Sequence, residues 1–126
     1  MLLSTVMLLS MGHGALAEEY AFPPGFLWGT ATAAHQVEGG NDRNDWHDWE
    51  QLPGKIKYGD KSGRAVDHWN RYESDLDLAR QLHCNSYRFS VEWSRIENED
   101  GTYNDAPGQH YRKMLQAMRQ RGIVPM

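Results

Sequence analysis

The sequence predicts an α/β fold in which parallel strands alternate with helices. Three observations lead to this prediction: a segment of apolar and then small residues from residue 26, a segment of alternating polar and apolar residues near residue 90, and two helical apolar stripes. The predicted order is strand, helix, strand, helix and the first half of a third strand at residues 123–126. Alternation of this kind is typical of parallel strands joined by right-handed crossovers.

The first predicted strand runs from Phe26 to Gln36. It follows a Phe-Pro-Pro-Gly turn and contains an unbroken run of small residues from Gly29 to Ala34. Small residues let a neighbouring strand or a ligand approach the backbone closely. Residues 39–66 are then predicted as a long loop, and the aromatic residues within it argue against disorder.

Two amphipathic helices are predicted from apolar residues spaced three or four apart. The first has Asp67 as its predicted cap, ends near residues 83–85, and has the stripe Trp69, Tyr72, Leu76, Ala79 and Leu82. The second spans about residues 107–121, is closed by Gly122, and has the stripe Tyr111, Met114, Leu115 and Met118. Each helix therefore has one face that can cover a sheet.

The second predicted strand, Ser86 to Ile96, alternates between two kinds of side chain. Its apolar face consists of Tyr87, Phe89, Val91 and Trp93, and its polar face of Arg88, Ser90, Glu92 and Ser94. A parallel strand that is buried on both faces normally has almost only apolar residues. The polar face therefore either lines the interior of a barrel, where Arg88 needs an acidic partner, or belongs to an edge strand and faces solvent.

Two motifs in this chain closely resemble those of glycoside hydrolase family 1, the β-glucosidases. Residues 26–40 match its N-terminal signature: an aromatic pair, a run of small residues, an aromatic residue or histidine, then Gln-x-Glu-Gly. Residues 87–96 resemble its second-strand motif, in which Arg-Phe-Ser precedes a Trp and an Arg-Ile. The resemblance covers about residues 22–126. It implies the N-terminal part of a (β/α)8 barrel, with about two β/α units and the start of the third strand.

The resemblance also implies a chemistry and two site residues. Members of the family are retaining β-glycosidases that act by double displacement through a covalent glycosyl-enzyme, without a metal or cofactor. In them the glutamine that matches Gln36 binds hydroxyls of the non-reducing sugar, and the arginine that matches Arg88 contacts the catalytic nucleophile. An isolated glutamine would more often cap a loop, but the surrounding motif favours the sugar role. Glu38 is expected to hold loop structure rather than to react.

Both catalytic glutamates are expected to lie beyond Met126. In the family they occupy Asn-Glu-Pro and Glu-Asn-Gly type motifs, and this sequence contains neither. Residues 18–126 are therefore predicted to be a truncated catalytic barrel that is marginally stable or aggregation-prone and inactive alone. Two alternatives belong to other classes: a self-standing carbohydrate-binding module, and a structural fragment that pairs with a complementary piece of barrel.

Composition narrows the range of partners. The chain has 13 lysine and arginine residues against 17 acidic ones, a net charge of −4, and no basic block. Nucleic acid and anionic membrane surfaces are therefore not expected as partners, and a small β-glycoside or oligosaccharide is. No metal-binding motif is evident in the sequence. The sequence also does not indicate an oligomeric state. The single cysteine, Cys84, excludes an internal disulfide and is expected to be a buried structural thiol.

Residues 1–17 have the features of a leader segment. They contain no charged side chain and end in Ala-Leu-Ala, the small-x-small pattern of a secretory cleavage site. No lysine or arginine marks the start, and polar residues interrupt the apolar stretch, which is too short and broken to span a bilayer. The prediction is a cleaved signal peptide and a secreted or periplasmic protein. A disordered or misassigned start would instead imply a cytoplasmic protein.

Overall fold

The computed structural model describes residues 21–126, so the predicted signal peptide at residues 1–17 lies outside the described residues. The described part contains three strands and five helices. In chain order they are β1 (Gly29–Ala31), α1 (Ala34–Val37), α2 (Asp45–Gln51), α3 (His68–Gln81), β2 (Ser86–Arg88), α4 (Trp93–Ile96), α5 (Asp105–Gln120) and β3 (Val124–Pro125). None of these helices is long and apolar enough to cross a membrane.

The three strands form one parallel sheet in the order β1-β2-β3. Gly29 pairs with Ser86 and Ala31 with Arg88, while Ser86 pairs on its other side with Val124. Gly29 is required at its position because a Cβ atom there would collide with the side chain and carbonyl of Ser86. This close contact is the kind of approach that the run of small residues predicts.

The core lies between the sheet and the two long helices. Its buried side chains are Leu76, Ala79, Tyr87, Tyr111, Met114, Ala117, Met118 and Ile123. Most of the predicted stripes therefore face inward, as periodicity predicts. Leu82 is an exception, because it is 71% exposed at the end of α3. Cys84 is partly buried and packs against this core, rather than being fully enclosed.

The long helices end close to their predicted bounds, but one predicted cap is wrong. Asp67 precedes α3 with a left-handed backbone (φ 60°), and its side chain does not cap the helix. Its carboxylate instead accepts hydrogen bonds from Arg64 (2.7 Å) and Asn70 (2.7 Å). At the C-terminal end of the second long helix, Gly122 closes α5 with φ +69°, as predicted.

Both predicted strands are longer in the sequence interpretation than in the structure. The segment from Phe26 to Gln36 is extended only in part: β1 covers Gly29–Ala31, and Ala34–Val37 forms a helical turn. The segment from Ser86 to Ile96 leaves the sheet after Arg88 and turns into α4. The predicted two-faced strand is therefore wrong beyond residue 89.

The faces of the second segment change where the chain leaves the sheet. Tyr87 is buried and Phe89 packs against the core, as predicted, but Val91 (45%) and Trp93 (58%) are exposed. Glu92, assigned to the polar face, is 9% exposed and therefore buried. Its carboxylate caps α4, so the alternation in this stretch reflects two different local structures.

The predicted loop at residues 39–66 contains a short helix, α2. Asn44 caps it, because its side-chain oxygen accepts from the backbone N–H of His47 at 2.9 Å. The acidic residues in its first turn, Asp45 and Asp48, stabilise the helix because they lie near the positive end of its dipole. This cap and charge pattern was a readable signal in the sequence, and the prediction missed it.

Candidate functional site

Gln36 lies on α1, directly after the carboxyl end of β1. The residue before this helix, Ala33, has no side chain that could cap it. The cap comes from the other strand segment, because Ser90 Oγ accepts a hydrogen bond from the backbone N–H of Ala34 at 2.7 Å. Ser90 therefore fixes the helical turn that carries Gln36 to the end of β2.

The side chain of Gln36 is exposed to a cleft of about 610 Å³. The other lining residues come from the ends of β1 and β2 and from the long loop: Ala33, Ala34, His35, Trp46, Glu50, Ile56, Ser62, Ser90, Val91 and Glu92. The lining combines polar residues such as Gln36, Glu50 and Ser62 with the apolar residues Trp46, Ile56 and Val91. Such a mixture suits a ligand with both hydroxyl groups and an apolar surface.

Arg88 ends β2, beside Ala31 of β1, and its side chain is exposed. It does not line the cleft of Gln36, and it forms no salt bridge with another residue of the described range 21–126. Both predicted site residues therefore lie at the carboxyl ends of neighbouring parallel strands, but only Gln36 faces this cleft. Enzyme barrels of this type hold their active sites at that end of the sheet.

Glu38 is buried and ties the segment after β1 to two distant helices. Its Oε1 accepts a hydrogen bond from the Tyr111 hydroxyl at 2.7 Å, and its Oε2 accepts from Arg95 Nε at 3.1 Å and Asn41 Nδ2 at 3.3 Å. The side chain is only 3% exposed. With both oxygens occupied, Glu38 supports the structure, which agrees with the expectation that it holds the loop.

The partners of Glu38 are themselves fixed. The guanidinium of Arg95 donates to the Gly39 carbonyl at 2.6 Å and lies over the Trp69 ring at 4.1 Å. The Tyr111 hydroxyl accepts from the backbone N–H of Glu92 at 2.9 Å. Burial and the Glu38 carboxylate raise the pKa of Tyr111, so its hydroxyl keeps the proton that it donates to Glu38.

A second buried carboxylate, Glu50, lies on the wall of the cleft. Ser62 donates to it twice, from its backbone N–H to Oε2 (2.9 Å) and from its hydroxyl to Oε1 (3.0 Å). The rings of His35 and His47 approach the same carboxylate at 3.5 and 3.8 Å. The hydrogen bond from the Ser62 backbone lowers the pKa of Glu50 despite its burial, so this group stays ionised near neutral pH.

Glu92 is the third buried carboxylate, and the sequence prediction misplaced it. Its Oε2 accepts from Asn44 Nδ2 at 2.7 Å, and its Oε1 accepts from Ser94 Oγ at 2.7 Å. The first contact fixes the start of α2 beside the end of β2. No signal in the sequence shows this pairing, because the two residues lie 48 positions apart.

Comparison with known proteins now identifies the family. Residues 18–126 match the family model described as glycosyl hydrolase family 1. This chain belongs to glycosyl hydrolase family 1. The match confirms the family that the motifs at residues 26–40 and 87–96 indicate.

Individual relatives give the same result. Beta-glucosidase A of Thermotoga maritima is 38% identical over 110 residues, which are 82% of this chain and 25% of the relative. The solved β-glycosidase BGL167 is 51% identical, with a TM-score of 0.77 over 82% of this chain and 25% of its own. A family 1 β-glucosidase of the fungus Humicola insolens, solved with glucose, is 36% identical with a TM-score of 0.77, over 86% of this chain and 24% of its own.

The chain thus spans about a quarter of the length of the family 1 relatives that it matches. The predicted fold, the N-terminal part of a (β/α)8 barrel, is confirmed, since the solved relatives are barrels and the described strands are parallel. Within residues 21–126, no group of three metal-ligating side chains lies close enough together to hold a metal ion. The role of Gln36 in sugar binding and that of Arg88 beside the nucleophile stay predictions.

The Ser90 hydroxyl, a conspicuous part of the family 1 second-strand motif, gives a testable expectation. Replacing Ser90 by alanine leaves the first N–H of α1 without its acceptor, which should cost about 1 kcal/mol of folding free energy. Urea denaturation of the complete barrel protein, followed by tryptophan fluorescence, measures this loss. Ser74→Ala is the matched control, because its hydroxyl bonds only a carbonyl of its own helix (Arg71, 2.8 Å). Equal stability of the two variants would contradict the capping role.

Proposed function

We propose that residues 21–126 form the first part of the sugar-binding end of a retaining β-glycosidase that hydrolyses β-glucosides or related β-glycosides. In this proposal Gln36 binds hydroxyls of the non-reducing sugar, and Arg88 holds the nucleophilic carboxylate in its ionised form. The two catalytic carboxyl groups come from the part of the barrel beyond residue 126. The reaction proceeds through a covalent glycosyl-enzyme and needs no metal or cofactor.

The exposed amide of Gln36 is the observation that carries this proposal. An amide offers two donors and an acceptor, which suits neighbouring hydroxyls that donate and accept at once. Within the described residues the Gln36 side chain makes no hydrogen bond, while its backbone is held by the contact between Ser90 and Ala34. A polar group with unused hydrogen-bonding capacity on a fixed support is what a sugar-binding position requires.

Arg88 has a complementary role in the proposal. Its guanidinium is permanently charged and stands exposed at the end of β2. A fixed positive charge beside a carboxylate lowers the pKa of that carboxylate, and a nucleophile must be ionised to attack. The arrangement therefore provides one group that binds substrate and one that adjusts the reacting partner.

The test is a kinetic comparison in the complete barrel protein that carries these residues. Gln36→Ala should lower kcat/KM for p-nitrophenyl β-D-glucoside by about 100-fold, because hydrogen bonds to sugar hydroxyls strengthen in the transition state. Gln116→Ala, which removes an exposed amide from α5, should leave kcat/KM unchanged. On a deoxy-glucoside that lacks the contacted hydroxyl, Gln36→Ala should lower kcat/KM by a smaller factor than on the full glucoside. Equal activity of the two variants would sink the proposal.

A further inference from the structure

We propose that Glu50 is a positioning residue that holds His35, and through it the neighbouring Gln36, in place for substrate binding. This inference rests on the proposed function of Gln36. Glu50 lies outside both family motifs, on the helix α2, which was not among the predicted elements.

Glu50 connects three segments around the cleft. It lies on α2 and contacts His35 of α1 (3.5 Å) and Ser62 of the following loop (2.9 and 3.0 Å). Its side chain is 8% exposed and that of His35 is 14% exposed. Both carboxylate oxygens already have partners, so Glu50 has little capacity left to bind a sugar. Its place on the cleft wall therefore favours support over direct ligand contact.

The turn that carries Gln36 needs such support. With four residues, α1 is too short to be stable by its own hydrogen bonds. Ser90 holds its first N–H, and the Glu50 carboxylate lies against the ring of the next residue, His35. The other ring nitrogen of His35, Nδ1, is buried without a partner in the described residues. Glu50 is thus the charged group that fixes this ring, one residue before Gln36.

Glu50 can act as a support because α2 is itself anchored. Asn44, the cap of α2, donates to Glu92 at the end of β2 (2.7 Å). The helix is therefore attached to the end of β2 through Asn44, and Ser62 of the following loop holds the Glu50 carboxylate. A carboxylate fixed in this way can hold the neighbouring α1 in position.

A double-mutant cycle tests the inference in the complete barrel protein. Kinetics are measured for the parent, Glu50→Gln, Gln36→Ala and the double variant. Glu50→Gln should lower kcat/KM about 10-fold in the parent but no more than about 2-fold in the Gln36→Ala background, because residues that act as a unit are not additive. Ser62→Ala is a milder second variant, for the case in which Glu50→Gln does not fold. Ser62→Ala should lower kcat/KM about 3-fold in the parent and have little further effect in the Gln36→Ala background.

The control is Asp48→Asn, which neutralises an exposed carboxylate on the same helix and should leave kcat/KM unchanged. Additive effects of Glu50→Gln and Gln36→Ala would overturn the inference. If the role of Glu50 is purely structural, its replacement lowers kcat/KM by the same factor with and without the Gln36 side chain. If Gln36→Ala alone has no effect, the proposed function fails, and the inference fails with it. A clear Gln36 effect with additive Glu50 effects overturns the inference alone.

Discussion

Replacing Glu38 by alanine should destabilise the complete protein by about 3 kcal/mol, the largest single-residue effect that we expect. The substitution leaves Arg95, which is 20% exposed, without its carboxylate partner. It also removes the acceptor of the Tyr111 hydroxyl, which is buried between α5 and the segment after β1. Unpaired buried donors carry the full cost of lost hydration, and here three donors are affected at once, because Asn41 Nδ2 also donates to Glu38.

Urea denaturation followed by tryptophan fluorescence measures this loss, and Trp69 reports on it directly because Arg95 lies over its ring. Glu73→Ala is the matched control. Glu73 forms an ion pair with Arg121 at 3.5 Å, but its side chain is 65% exposed. An exposed pair contributes about 0.5 kcal/mol or less. A loss for Glu38→Ala no larger than that of the control would show that the buried network is not a structural support.

The 126-residue chain alone should not hydrolyse β-glucosides. The sequence contains neither of the two motifs that carry the catalytic glutamates in the family. A retaining glycosidase needs one carboxyl group with a raised pKa as the acid, about 5–5.5 Å from a second one. The buried carboxylates Glu38 and Glu92 are instead bonded to structural partners.

The same chain should be marginally stable or prone to aggregate. In residues 21–126 the sheet has β1 and β3 as its outer strands, and outer strands carry backbone groups that can pair with another chain. Next to β1, the rings of Phe22, Phe26 and Trp28 contact one another in tilted or edge-on arrangements while remaining about half exposed. In a complete barrel the following elements would cover such surfaces.

Two measurements on the purified chain check these expectations. The rate of p-nitrophenyl β-D-glucoside hydrolysis should equal that of buffer, with the Thermotoga maritima relative as the positive control. Thermal unfolding followed by circular dichroism should be broad rather than cooperative. Hydrolysis by the chain alone would contradict the first expectation. A cooperative transition would favour a self-standing carbohydrate-binding module, and activity only after a second chain is added would favour a complementing fragment.

The helices were predictable from the sequence because their signals are local. The stripe spacing and Gly122 place α5 within two residues of its observed bounds. The ends of the strands could not be predicted from the sequence, because contacts between residues distant in sequence decide where each strand ends. Ala34 begins a helical turn since Ser90, 56 positions later, caps it. Nothing in the residues near Ala34 shows this.

Gln36 was predicted as the last residue of the first strand, and it lies on α1 just after β1. Arg88 was predicted near the start of a strand that continues to Ile96, but it is the last residue of β2. The motifs did not reveal the supporting carboxylates. Glu92 was assigned by alternation to the polar face of the strand, with Arg88, yet it is buried against Asn44. Alternation indicates which side chains share a face only while the chain stays extended, and this chain leaves the sheet after Arg88.

The bond between Glu38 and Tyr111 spans 73 positions, and this separation has a consequence for the order of folding. Contacts between distant residues form late, because the intervening chain must first be brought together. During synthesis, the segment after β1 cannot reach its final position until α5 has left the ribosome. The segment that carries Gln36 is therefore fixed in place only by the second β/α unit, although the segment itself is synthesised before that unit.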